Sequence, residues 1–191
     1  MNRKVFFVVL LLLATMGASA QKISGDITPL KDQKEVNVVL DFTGTLVNGQ
    51  AEDKFIADQT KGKSDADKNE WLSDWREKLP SEALSMLTGE FNRRMSDKFF
   101  SLGEYKNAEY TIIIKVIDIT TGSFGPFSKA AAVNANVSFV KTGDTASFAT
   151  VTFKNSRSLV KTLIPVLIER IAMSFSSLGG DLAGSVSDTL K

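Results

Sequence analysis

The chain has 191 residues, 23 Lys+Arg against 22 Asp+Glu, and neither cysteine nor histidine. Disulfide stapling is therefore excluded, and so is hydrolysis by Ser-His or Cys-His pairs. Zinc and copper centres lose their preferred imidazole and thiolate ligands, so no metal and no cofactor is expected.

Arg3 and Lys4 precede an unbroken apolar run, Val5–Ala14, and Ala18-Ser19-Ala20 follows with the small-x-small pattern of a signal-peptidase site. Residues 1–20 read as a secretory signal peptide and the mature chain as starting at Gln21, in the periplasm or secreted beyond it. The apolar run falls short of the roughly 20 residues a membrane span needs, and no transmembrane segment is expected in the mature chain. Loss of Arg3 and Lys4 leaves 21 positive and 22 negative side chains. A near-neutral, mixed-sign surface gives no reason to bind nucleic acid. With no cysteine there is no lipobox for a lipid anchor, which favours soluble release.

The remainder divides into a flexible N-terminal arm (21–35), a single α/β domain (36–178) and a flexible C-terminal tail (179–191). Val36, Val38, Leu40 and Phe42 alternate with Asn37, Val39, Asp41 and Thr43, the period of a half-buried strand over Val36–Val47 that ends at Asn48-Gly49. A short helix is expected over Ala51–Ala57, then a solvated loop or frayed helix extension over the polar stretch Asp58–Asn69. A helix follows from Asn69 to Leu79, with Trp71 and Trp75 on one face and Pro80 interrupting it. The next, Ser81–Phe100, carries Leu84, Leu87, Phe91, Met95 and Phe99 at spacings of three and four, with Leu102-Gly103 as its cap.

Tyr110–Thr120 is apolar on both parities, which predicts a central strand covered at least in part on both faces. After a Gly/Pro loop, Thr121–Ser128, the segments Ala130–Val140 and Ala146–Phe153 flank the turn Lys141–Asp144 and form an antiparallel hairpin. The last helix, Ser158–Ser176, repeats Leu159, Leu163, Leu167, Ile171 and Phe175. It is expected to kink at Pro165 and to stop at Gly179-Gly180.

This order predicts an α+β two-layer sandwich: a mainly antiparallel sheet of about four strands with helices packed mostly on one face. A three-layer arrangement with the last helix on the opposite face is the rival. The early strand Val36–Val47, the strong strand Glu109–Thr120 feeding a hairpin and the terminal helix Ser158–Ser176 resemble small exported α/β domains of Gram-negative bacteria. Those are the N-terminal domain of the TolB translocation protein and the curli-secretion channel protein, over Val36–Phe175. The chain departs from the second in lacking a lipobox cysteine and from the first in lacking propeller strands. The resemblance implies contacts with another envelope protein and no chemistry.

Asp41, followed by Phe42-Thr43-Gly44-Thr45, is similar to the nucleophile loop of haloacid-dehalogenase-like hydrolases, but Thr43 stands where a second Asp belongs. Adjacent Asp-Thr-Gly of an aspartic protease is broken by Phe42, which turns the carboxylate to the opposite face. Trp71 and Trp75 fit a core-packed pair or a partner-facing platform. Phe124 and Phe127 fit burial under the sheet end or a protruding apolar contact loop. The final helix, with only Lys161 and Arg170 facing Glu169, lacks the basic face of an interfacial helix. The chain is thus read as a non-enzymatic exported protein-interaction module, with Trp71, Trp75, Phe124 and Phe127 as interaction candidates. The alternatives are an apolar-ligand or lipid carrier with a pocket between the last helix and the sheet, and a hydrolase using Asp41.

Overall fold

The computed structural model describes residues 21–95, 98–158 and 164–191. The expected signal peptide, residues 1–20, and part of the expected last helix, 159–163, lie outside the described residues.

Eight strands form one sheet: β1 (Ser24–Gly25), β2 (Glu35–Asp41), β3 (Leu46–Val47), β4 (Gln50–Ala51), β5 (Ser101–Gly103), β6 (Tyr110–Thr120), β7 (Ala132–Lys141) and β8 (Ser147–Arg157). Their order is β1-β8-β7-β6-β2-β5, with β3 beside β6 and hairpinned to β4. The pairs β6–β7, β7–β8 and β1–β8 are antiparallel, whereas β2 runs parallel to both β5 and β6. The architecture is α+β in two layers, with a mixed sheet of eight strands rather than the expected antiparallel four. Two- and three-residue strands leave no periodic trace in a sequence, which is why β1, β3, β4 and β5 escape the pattern.

The early strand is two strands. Alternation holds through β2, where Val36 and Val38 are buried and Val39 is open. The backbone then turns, with Thr45 N–H donating to Phe42 O at 3.1 Å, before β3 resumes alongside β6. Leu102-Gly103 belongs to strand β5 and is no helix cap. The side-chain amide of Asn92 accepts from Leu102 N at 2.7 Å and donates to Leu102 O at 2.9 Å, occupying backbone groups that an edge strand would otherwise offer to another chain.

Strand β6 is central but covered once. Ile112, Ile114 and Val116 face the helices, and a bulge between Val116 and Asp118 restores Ile119 to that face. Lys115 and Ile117 point the other way and are exposed. The three-layer rival is overturned, because among the described residues the helices, α4 included, pack mainly on one face of the sheet.

That layer holds α1 (Glu52–Thr60), α2 (Asp65–Ser73), α3 (Leu79–Met95) and α4 (Leu167–Leu190). The polar stretch before Asn69 is already helical, because Ser64 caps α2 by accepting Asp67 N–H at 3.2 Å. Pro80 does not separate α2 from α3. The residues Asp74–Lys78 widen into a π-turn in which Leu79 N–H reaches back to Asp74 O, giving the proline ring the room an α-turn denies it.

Pro165 precedes α4 instead of kinking it, and the helix runs straight through Gly179-Gly180 to Leu190. The expected flexible tail is therefore helix, with Leu182, Val186 and Leu190 buried. The two glycines mark the crossing with α3: a Cβ on Gly179 would land on the Leu87 carbonyl oxygen, 3.0 Å from its carbon. The expected flexible arm is ordered as well. Ser24–Gly25 pair with β8, and Ile23, Ile27 and Leu30 are buried in the core.

Glu90 ties this layer together electrostatically. Its carboxylate accepts Nε and Nη2 of Arg93 and Nε of Arg94, each at 2.7 Å, while Arg94 Nη1 donates to Gly180 O at 3.2 Å. The Arg93 fork, more than Arg94, lowers the Glu90 carboxyl to about 2 from 4.5. A folded value below the unfolded one adds stability that is complete above pH 4.5 and disappears as pH falls toward 2. Both arginines are exposed, so solvent screening holds the contribution near ~1 kcal/mol. Glu90→Gln should therefore melt below wild type at neutral pH and match it near pH 2; a deficit unchanged across a pH series of thermal melts would refute the pairing.

Candidate functional site

The two tryptophans stack on one another within the helical layer. The π-turn places Trp75 against α1, where it is buried and its Nε1 donates to Glu52 Oε1 at 2.6 Å. Trp71, half-buried, stacks on it with ring centroids 5.4 Å apart and planes 7° from parallel. Phe55 lies 5.1 Å from Trp75 and 6.2 Å from Trp71. Beside them is a hollow of about 130 Å³, bounded by Thr45, Glu52, Trp75 and Pro80 among others. Two of its polar side chains are engaged, Thr45 Oγ1 with Val116 O and Glu52 with Trp75, and Arg76 also lines it. The volume is below that of small-molecule pockets, about 300 Å³ upward.

Asp41 ends β2 as a turn former. Its Oδ1 accepts Thr43 N–H at 2.8 Å and its Oδ2 pairs with Lys115 Nζ at 3.0 Å. The Thr43 backbone bond, ahead of the Thr43 hydroxyl and Lys115, lowers its carboxyl below the usual range. Among the described residues, no group of three or more Asp, Glu, His or Cys could hold a metal ion.

The phenylalanines behave differently. Phe124 is 58% exposed and Phe127 94% exposed. Their loop has a built stem: Ser123 N–H donates to Lys129 O and Lys129 N–H to Ser123 Oγ, both at 2.9 Å, and Ser128 N–H closes the turn onto Gly125 O at 3.0 Å. Gly122, at φ +65°, lets the stem press on the outgoing chain; a Cβ there would come within 2.7 Å of Ala131 N. Arg170 Nε braces the same point through Thr121 O at 2.9 Å, while its Nη1 holds Ile164 O at 3.0 Å. Next to the stem a hollow of about 530 Å³ is lined by Ser128, Lys129, Asn155 and Arg157, among others.

The sheet face away from the helices is a second open surface. Val39 (44% exposed) pairs in register with Ile113, and Ile117 (37% exposed) and Leu46 extend an aliphatic stripe over β2, β3 and β6. Flanking it on β7 and β8, Asn136 is in register with Thr152 and Ser138 with Thr150. The sequence placed Val39 opposite Val36 and Val38 correctly. It also set Ile117 on the parity opposite Ile112, Ile114 and Val116, whereas Ile119, on the same parity, is returned to the core by the bulge. It missed the meeting of Lys129 with Arg157, which needs the Ala132–Arg157 pairing of β7 with β8.

No family model and no curated protein matches the chain. Among solved structures it is similar to a PelC dodecamer from Paraburkholderia phytofirmans in space group P6, at 11% identity and a TM-score of 0.40, over 84% of this chain and 97% of that one. A point variant of that PelC, a dodecamer in space group C2, gives 13% identity and a TM-score of 0.36, over 84% and 95% of the two chains. At such scores the likeness carries no argument about function.

Proposed function

We propose that the chain is a non-enzymatic protein-interaction module, exported to the bacterial cell envelope. The leader with Arg3, Lys4, Val5–Ala14 and Ala18-Ser19-Ala20 supports export. The observation that carries the interaction reading is the uncovered sheet face, an aliphatic stripe of Val39, Ile113, Ile117 and Leu46 beside a ladder of Asn, Ser and Thr. An apolar centre with a polar flank is the anatomy of a protein contact.

The two alternatives find less support. The interface between α4 and the sheet is filled by Ile171, Phe175, Leu178, Leu182 and Val186, all fully buried, where a carrier needs a cavity. Asp41 is engaged by Thr43 and Lys115 in a turn, so its carboxylate is committed to local structure. The test is site-specific photo-crosslinking in the producing cell, from position 117 on the open face and, as control, from the exposed Lys68 on α2.

A further inference from the structure

The braced phenylalanine loop and the hollow beside it have no role in the sheet-face contact, and together they have the composition of a lipid-binding tip. Two aromatic side chains, 58% and 94% exposed, project from a stem held by the Ser123–Lys129 bonds and by Arg170. Val166, 41% exposed, belongs to the segment that Arg170 joins to the same stem through Ile164 O. The cost of presenting phenylalanine to water is thus met by a fixed geometry, and nothing among the described residues shields Phe127.

The charged side chains that line the hollow are both basic, while Asp181 accepts from Ser156 Oγ at 2.8 Å next to Arg157 in sequence. Lys129 and Arg157, both exposed, line the hollow of about 530 Å³. Ser128 Oγ, another lining group, is buried and has no hydrogen-bond partner among the described residues. Arg157 is oriented by its Nε–H bond to Asn155 Oδ1 at 2.9 Å, and Asn155 itself is held in the left-handed region at φ +61°. Two cations and an unsatisfied hydroxyl suit a phosphodiester. On the neighbouring α4 turn the acidic group is Glu169, which faces the α3 side with Glu82 and Met173 around a different hollow.

We propose that this end of the molecule docks on an anionic bilayer surface, with Phe124 and Phe127 entering the boundary between headgroups and acyl chains and Lys129 and Arg157 holding a lipid phosphate. Apolar insertion and headgroup attraction add, and neither alone anchors a protein firmly. The proposal does not depend on the sheet-face reading and can fail without it.

The experiment is co-sedimentation of the full mature chain with vesicles of phosphatidylcholine, with and without phosphatidylglycerol. Wild type should bind the anionic vesicles and release them at high salt. The exposed pair Phe124→Ser/Phe127→Ser should weaken that binding at least ~tenfold with an unchanged melting temperature. Lys129→Gln/Arg157→Gln should abolish the preference for phosphatidylglycerol. The proposal is overturned if wild type ignores both vesicles, including the case where inorganic phosphate alone binds the hollow or where a crosslinker at position 127 captures only a protein. It is equally overturned if the phenylalanine pair can be replaced without loss of vesicle binding.

Discussion

Valine at Gly179 is expected to cost the domain ~3 kcal/mol or more, whereas alanine at Gly184 on the same helix should stabilise it by ~1 kcal/mol. The difference is tertiary. At Gly179 any Cβ strikes the Leu87 backbone, which belongs to a packed helix and cannot step aside. Even alanine, favoured in a helix interior by ~1 kcal/mol, should lose there, since overpacking costs about 1–3 kcal/mol. Valine adds branching to the same collision. At Gly184 no heavy atom lies within 4 Å of a Cβ, so the propensity gain stands unopposed. Urea titrations of the two variants read the signs directly. A Gly179→Val protein as stable as wild type would mean that α3 and α4 do not cross at this residue.

Trp75→Ala should be comparably damaging, at about 3–5 kcal/mol for an aromatic ring removed from a packed site. The ring is buried, stacks on Trp71, touches Phe55 and satisfies Glu52. Trp75→Phe keeps most of the packing and removes the donor, so roughly 1–3 kcal/mol is expected for leaving the partly buried carboxylate unpaired. Phe127→Ser should stay within about 0.5 kcal/mol of wild type, because its ring touches solvent. Chemical denaturation, with near-ultraviolet circular dichroism following the stacked indoles, separates the roles. If Phe127→Ser destabilised the fold as much as Trp75→Ala, the distinction between packing and recognition would be lost.

What could be read ahead of the structure was whatever repeats. Leu87, Phe91 and Met95 announce α3, and the β7–β8 hairpin follows from the short turn Lys141–Asp144 between two strand-forming segments. The errors share one cause: a local signal with two tertiary meanings. Gly179-Gly180 reads equally as a helix stop or as a site of close helix contact, and only Leu87 on another helix decides between them. Pro165 reads as a kink or as a residue preceding the helix start. Ile23, Ile27 and Leu30 sit among charges and look like a loose arm until β8 offers an edge for Ser24–Gly25. The isoleucines of β6 suggested two covers because composition cannot show that one face of a central strand is left bare.

The same limit applies to the surfaces. The unusual Phe-Gly-Pro-Phe loop was visible as a candidate, and its aromatic exposure is a matter of stem geometry. The cations beside it come from the start of one strand and the end of the next. They meet only because β7 and β8 pair.

Crosslinking from position 117 is the most direct measurement of the claim that this chain works by surface contact. The account predicts a discrete adduct with a single envelope protein from position 117, absent from position 68 and absent after Val39→Asp. Equal labelling from both positions, or an adduct that survives Val39→Asp unchanged, would contradict it.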